Sequence, residues 1–318
     1  MTESASVRHP LLDRRKFRDP FVTARGEPRA HVRLGALQTL WFNTGTLCNL
    51  ACRHCYIESS PTEDRLAWLT AAEAGAYLDE IERERLGTRT IGFTGGEPFM
   101  NPQLLEMMQD ALQRGLEVLV LTNAMRPMAK QQAALLRLQR RFGARLTVRV
   151  SVDHYTAAVH ELERGARSWR PTLQGLQWLV REGFNTHVAT RCLSGEPEAA
   201  LRAGFARLFA EHRIGIDAHD VVALMVFPEM DVRADVPEIT EACWSILSKS
   251  PDDMMCASSR MVVRRRGEPR CVVVACTLLP DDAQFELGAT LAEATGPVQL
   301  NHPHCARFCV LGGAACKA

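Results

Sequence analysis

Leu47-Cys48-Asn49-Leu50-Ala51-Cys52-Arg53-His54-Cys55-Tyr56 follows a short apolar run, Gln38 to Phe42, that has the character of a strand. Three cysteines at C-x3-C-x2-C spacing bring three thiolates to one loop. A structural zinc site takes four ligands, and a [4Fe–4S] cluster normally takes four cysteines. Three therefore point to a metal centre with one position open to a substrate or cofactor, as catalytic sites keep. Structural zinc with His54 as the fourth ligand is the alternative.

Around that loop the chain runs to 318 residues, with 11 cysteines and a formal net charge of +1. This length suits one large domain plus a small one, and folding would bury about 75% of the extended-chain surface. The near-zero charge gives no reason to expect nucleic acid or an anionic membrane as partner. No apolar run approaches the roughly 18 residues of a membrane span. Arg8, Arg14, Arg15, Lys16 and Arg18 lead into no signal-peptide core, so the expected location is the cytoplasm. Thiols stay reduced there, which argues against disulfides. Three cysteines lie in the opening stretch and six between Cys256 and Cys316, which points to two metal sites. Cys192 and Cys243 stand alone in apolar-patterned segments and are expected to be buried core thiols.

Residues 1–37 carry little periodicity and are expected to form a strap or a partly disordered tether. From Leu40 strands and helices alternate. A helix starts at Thr70 with Glu73 three residues on, a capping box, and Gly87 closes it. Thr90–Thr94 is a strand; Asn101-Pro102 opens a second helix, ended by Gly115. Glu117–Asn123 is a strand, Met128–Phe142 a helix, Arg145–Asp153 a strand. A helix from Pro171 to Gly183, a strand from Asn185 to Arg191, a helix from Pro197 to His212 and a strand from Asp217 to Phe227 follow.

Such alternation implies parallel strands with helices outside. Six strands suit a partial (β/α)6 barrel within the α/β class, with a doubly wound sheet as the competitor; either places the chemistry at the strands' C-terminal ends. In Arg145–Asp153, Leu146, Val148, Val150 and Val152 share one face, and Thr147, Arg149, Ser151 and Asp153 the other. A doubly covered parallel strand is usually apolar on both faces. The polar face favours a barrel lumen and puts Ser151 and Asp153 in the site.

Beyond about Asp231 the pattern changes. A helix is expected from Pro237 to Lys249, then a hairpin of Arg260–Arg264 and Arg270–Ala275 around Gly267-Glu268-Pro269. This tail has few large apolar residues and is expected to be a small separate α+β unit stabilised by a metal centre. The expected domains are an extension at 1–37, the barrel at 38–230 and an iron–sulfur domain at 231–318.

Gly95-Gly96-Glu97-Pro98 stands directly after the second strand of the barrel, as the three-cysteine loop stands after the first. With both motifs in strand-loop context, the segment from about Leu37 to Phe227 resembles the radical S-adenosylmethionine (radical SAM) enzymes. The resemblance implies a partial (β/α)6 barrel and a [4Fe–4S] cluster on Cys48, Cys52 and Cys55. It implies S-adenosylmethionine on the open iron, cleaved reductively to a 5′-deoxyadenosyl radical that takes hydrogen from a substrate. Gly95, Gly96, Glu97 and Pro98 would bind the methionine amino group, His54 would lie against adenine, and Ser151, Asp153 and Asn123 would meet the ribose. Arg191 is a candidate partner for the methionine carboxylate.

The tail resembles the auxiliary-cluster extensions of that superfamily, SPASM and its shortened twitch form, although its cysteine spacing departs from the standard run. One auxiliary [4Fe–4S] cluster is expected, with Cys276, Cys305, Cys309 and Cys316 ranked first, Cys256 behind them and Cys271 last; zinc is the alternative. The implied protein is an oxidoreductase or transferase served by a low-potential donor such as flavodoxin or ferredoxin. Its substrate is a peptide, or alternatively a small molecule in cofactor biosynthesis. An iron–sulfur electron-transfer or redox-sensing protein without catalysis is the reading from another class. His154, Tyr155, Asp220 and Glu229 lie near strand ends where a substrate would sit.

Overall fold

A computed structural model describes residues 10–192, 195–228 and 231–313. In chain order the elements are β1 (His31–Val32), β2 (Thr39–Asn43), α1 (Ala71–Glu84), β3 (Thr90–Thr94), α2 (Leu104–Gln113), β4 (Glu117–Thr122), α3 (Arg126–Ala129), α4 (Gln132–Phe142) and β5 (Leu146–Ser151). Then come α5 (Ala157–Arg164), α6 (Trp169–Arg181), β6 (Asn185–Arg191), α7 (Glu198–Glu211), β7 (Leu224–Phe227) and α8 (Cys243–Ile246). The tail adds β8 (Ser259–Val263), β9 (Val272–Val274), β10 (Glu286–Gly288), β11 (Val298–Gln299) and a π-helical turn, Cys305–Leu311.

Nine strands form one sheet in the order β10-β9-β8-β2-β3-β4-β5-β6-β7. Strands β2 to β7 lie side by side in chain order, all parallel. A doubly wound sheet reverses its strand order at a switch point. Sequential order instead puts every right-handed crossover helix on one face and curls the sheet toward a barrel. The terminal strands β7 and β10 do not pair, so the barrel is partial.

The tail differs from the expected separate unit. Strand β8 pairs in parallel with β2, from Thr39↔Ser259 to Phe42↔Val262, so the hairpin continues the barrel sheet. Alternation in β8 and β9 is weak because both faces are covered. The tail nevertheless keeps a core of its own, containing Met254, Leu279, Phe285, Leu300 and Phe308.

Residues 10–32 are the strap, and they close on that second core. β1 pairs with β11, Ala30 donates to the Ile239 carbonyl (2.9 Å), and the Arg29 guanidinium meets Glu238 at 2.5 Å with both side chains buried. Glu238 also accepts the Phe17 and Ala24 N–H groups. This accounts for the loss of the helix expected over Pro237–Lys249, which shrinks to α8: the strap takes backbone and side-chain partners that a helix there would need.

Elsewhere the local signals hold in part: α1 ends at Arg85, itself in the left-handed region, before Gly87 is reached, and the strand expected from Asp217 is reduced to β7. Thr70 and Glu73 form the capping box of α1. Asn101 is not the N-cap of α2, however. It lies buried and donates to the Thr44 and Leu69 carbonyls, while Gln103 takes the cap position. Cys192 and Cys243 are half-buried rather than core thiols. The expected third helix is divided into α3 and α4, and α5 had no counterpart in the sequence reading.

Candidate active site

The C-terminal ends of β2 to β7 surround a cavity of about 160 Å³. Cys48, Cys52, Cys55, His54, Gly95, Gly96, Pro98, Asn123, Ser151, Asp153 and Arg191 all line it, so residues more than a hundred positions apart share one wall. The inner face of β5 is as its alternation implies: Arg149, Ser151 and the following Asp153 point to the cavity, and Val148 and Val150 to the helix layer.

The cysteine loop is held from two sides. Gly96 N–H donates to the Gly45 carbonyl (2.8 Å) and Glu97 N–H to the Leu47 carbonyl (3.1 Å). A Cβ on Gly96 would stand 2.3 Å from Leu47 O, so the missing side chain lets the two loops touch. On the other side Glu163, at the end of α5, takes the His54 ring at 2.6 Å and the Arg53 N–H at 2.7 Å. Arg191 donates to the His54 carbonyl at 2.6 Å.

Asp153 sits between two guanidiniums, 2.9 Å from Arg164 and 3.1 Å from Arg191. Burial pushes its carboxyl up, but the two arginines outweigh burial and hold it well below the usual carboxylate range. Arg191 is thus engaged with Asp153 rather than free for a methionine carboxylate. Glu97 also differs from expectation. Its carboxylate is turned away from the cavity and accepts the Asn123 and Phe99 N–H groups and the Thr122 hydroxyl. Burial pushes it up to about 7 despite those donors. Asn123 lines the cavity and donates to Asn49 Oδ1 at 2.9 Å.

His154 and Tyr155 do not reach the cavity. The His154 ring joins Thr156 and Glu196, and Tyr155 stacks on it. Asp220 is exposed and accepts local N–H groups; Glu229 lies outside the described residues.

A second, apolar cavity in the tail is lined by Cys256, Cys276, Cys305 and Cys309, with His304 beside them. Cys256 therefore joins the set that the sequence ranked it behind, and Cys316 lies outside the described residues. Cys271 is buried in the barrel core near Glu73, apart from the others. Leu278 lines both cavities, and Thr277 and Phe308 face the first from the tail. Sequence reasoning missed these, and also Arg164, Arg149 and Trp41. Only the parity of β5 could have brought Arg149 forward.

A model of the radical SAM superfamily matches residues 42–203, half of the chain, and the chain belongs to that superfamily. The antilisterial bacteriocin subtilosin biosynthesis protein AlbA of Bacillus subtilis is 31% identical over 143 residues, 45% of this chain and 30% of AlbA. The AdoMet-dependent heme synthase of Oleidesulfovibrio alaskensis is 30% identical over 144 residues, 45% of this chain and 35% of that one. The matched stretch thus spans about a third of each relative. In fold, Streptococcus suis SuiB, solved with its precursor peptide SuiA, is similar over 83% of this chain and 66% of that one, with a TM-score of 0.60 at 12% identity.

Proteins of this superfamily bind a [4Fe–4S] cluster and S-adenosylmethionine, and the residues of the cavity fit both. The Cys48 and Cys55 sulfurs each face a backbone N–H, of Leu50 and Ser59, at 3.4 Å, as thiolate ligands favour. Burial pushes the Cys48 thiol up to about 12, and a metal would hold it as thiolate. The Ser59 hydroxyl, buried beside them, has no hydrogen-bond partner among the described residues. A carboxylate, an amide and hydroxyls line the same cavity, where a nucleoside would be recognised.

Proposed function

We propose that this protein is a radical SAM enzyme acting on a peptide, with one auxiliary iron–sulfur centre in its tail. The observation that carries the reading is the shared cavity: Cys48, Cys52 and Cys55 on one wall, and Gly95, Gly96, Pro98, Asn123, Ser151 and Asp153 around it. When bound, cluster and cofactor supply reductive cleavage of a sulfonium and hydrogen-atom abstraction from an unactivated C–H.

The chain's own residues do the rest. Cys48, Cys52 and Cys55 hold the cluster, and Glu163 and Gly96 fix the loop that carries them. Ser151, Asp153 and Asn123 face the nucleoside, with Arg164 and Arg191 keeping Asp153 ionised. Glu97 ties the Gly95–Pro98 loop to the end of β4, so it sets that loop's position. Cys256, Cys276, Cys305 and Cys309 are the ligand set for the auxiliary centre, in the manner of a shortened SPASM domain. Leu278 stands between the two cavities, which puts a substrate within reach of both. The similarity to AlbA, named for bacteriocin biosynthesis, supports a peptide substrate. The electron comes from a low-potential donor such as flavodoxin or ferredoxin.

The test is release of 5′-deoxyadenosine from S-adenosylmethionine by anaerobically reconstituted, reduced protein. Release that disappears when Cys48, Cys52 and Cys55 are changed to Ala is expected. No release under any reductant overturns the reading.

A further inference from the structure

The cysteine loop is flanked by exposed cations. Arg53 stands on the loop itself, Arg126 and Lys130 on α3 and at its end, and Arg167 and Arg170 where α6 begins; all five are exposed. Among the described residues none of the five forms an ion pair, whereas Arg114, Arg164 and Arg191 are each held by carboxylates. Packing brings the five to one patch. The Arg53 N–H donates at 2.7 Å to the carbonyl of Glu163, which lies just before Arg167 in the chain. Asn49, on the same loop, accepts from Asn123 at 2.9 Å and lies 3.9 Å from the sulfur of Met125, the residue before Arg126. Helix α6 sits directly on the start of α3: a Cβ on Gly175 would stand 2.0 Å from the Ala124 carbonyl oxygen, and the Thr172 hydroxyl donates to the Asn123 carbonyl at 3.2 Å. The carboxylates at hand are engaged or distant. Glu163 is buried against His54, Glu161 accepts the Trp169 N–H, and Glu58 lies beyond Cys55. Between Glu117 and Asp153 the chain has no acidic residue, although its net charge is only +1. Like charges grouped without counter-charges repel one another, and an anionic partner relieves that repulsion.

We propose that this patch is the docking face for the acidic surface of a low-potential one-electron carrier protein, which reduces the three-cysteine centre from there. The assignment rests on the radical SAM reading, in which that centre is the one to be reduced. Charge and position choose the occupant. Exposed cations steer an anionic surface to the loop and orient it. Arg53 directly follows Cys52, so a carrier seated on the patch lies against the backbone that holds the centre. None of the five cations lines the barrel cavity, so a bound carrier leaves the cavity free for substrate. Leu162, 60% exposed at the end of α5, adds an apolar contact within the charged rim. In the step itself the carrier loses one electron, the oxidised centre gains it, and no bond forms or breaks. An acidic peptide or an RNA would meet the same charges, but only an electron carrier gains from lying against the loop of a redox centre.

The probes are an acidic flavodoxin and an acidic ferredoxin. Binding of each, oxidised, to the reconstituted holoenzyme is measured by calorimetry, and the rate at which each, reduced, bleaches the cluster absorbance is measured by stopped flow, both across ionic strength. Two double charge reversals test the patch: Arg126→Glu with Lys130→Glu, and Arg167→Glu with Arg170→Glu. A third, Arg140→Glu with Arg141→Glu, makes the same change of net charge at the far end of α4. The first two are expected to weaken binding and slow reduction about tenfold at low salt, with the difference vanishing at high salt. The third is expected to change either by less than about twofold. Release of 5′-deoxyadenosine driven by dithionite is expected to be the same in all four proteins. Iron content and melting temperature check folding, and either patch pair carries the test should the other not fold. The proposal is overturned if neither carrier binds, if binding is independent of salt, or if the patch reversals act no more strongly than the distal one. It is overturned equally if the patch reversals spare both carriers but abolish binding of poly-L-glutamate or of a single-stranded RNA. Dithionite-driven release with carrier binding that ignores the patch refutes this inference alone. Carrier binding through the patch without release under any reductant refutes the enzyme reading instead.

Discussion

Asp153 Oδ2 lies 2.9 Å from Arg164 Nε, an ion pair in which the side chains are 3% and 12% exposed. Arg191 closes the other side of the same carboxylate. Replacing Asp153 by Asn leaves two buried guanidiniums without their anion. Breaking a buried pair in this way costs about 3–5 kcal/mol, and a matching fall in the urea midpoint is expected. The carboxyl is held below its unfolded value, so its stabilising contribution is present above that value and lost as pH falls through the acid range. Asp153→Asn should therefore flatten the acid limb below about pH 4. A variant as stable as the wild type would mean that the arginines are solvated.

Glu97 works in the opposite sense. Its folded value of about 7 lies above the ordinary value of 4.5, because burial penalises the charge. As pH rises between these values the unfolded chain ionises first, and stability falls by about 3 kcal/mol. His160, His302 and His304, held down to about 4 by burial, push the other way, so the informative quantity is the difference from Glu97→Gln. That difference should change between pH 4.5 and 7 and be constant on either side. A pH-independent difference in thermal melting would show Glu97 to be solvated.

Gly96→Ala puts a methyl group against the Leu47 carbonyl, beside Cys48. Backbone cannot yield as a flexible side chain can, and overpacking of this kind costs about 1–3 kcal/mol. The expected outcome is a protein that keeps its tail centre but takes up iron poorly at the three-cysteine loop and releases little 5′-deoxyadenosine. Full iron and full release would show that the loop tolerates a shift.

Two tail cysteines separate cleanly. Two [4Fe–4S] centres predict about eight irons per chain. Cys256 lines the tail cavity, so Cys256→Ser should lower the count to about four. Cys271 lies in the barrel core, so Cys271→Ser should leave it unchanged. Iron assay and the cluster absorbance decide it. Zinc in the tail with about four irons in the whole chain would overturn the auxiliary centre.

Much of the site was legible because its pieces are local. A C-x3-C-x2-C loop, a Gly-Gly-Glu-Pro turn and the alternation of Arg149, Ser151 and Asp153 each announce themselves within a few residues. The capping box of α1 did so too, since its donor and acceptor are three positions apart. The helix expected at Pro237–Lys249 failed for the complementary reason. Its apolar spacing was right, but Glu238 is claimed by Phe17, Ala24 and Arg29 from the strap, partners more than 200 residues away.

The sequence by itself determined the family, the parallel strand–helix alternation and the place of the three-cysteine loop after the first barrel strand, because strand period, turn chemistry and cysteine spacing are short-range properties. Only the tertiary structure decided that β8 extends the barrel sheet, that Arg164 and Arg191 clasp Asp153, and that Cys256 rather than Cys271 faces the other tail cysteines. It also brought Trp41 and Leu278 to one cavity. Those relationships depend on which distant segments a curled sheet sets side by side. Burial then gives a charge or a donor its partner, and no local pattern records that choice.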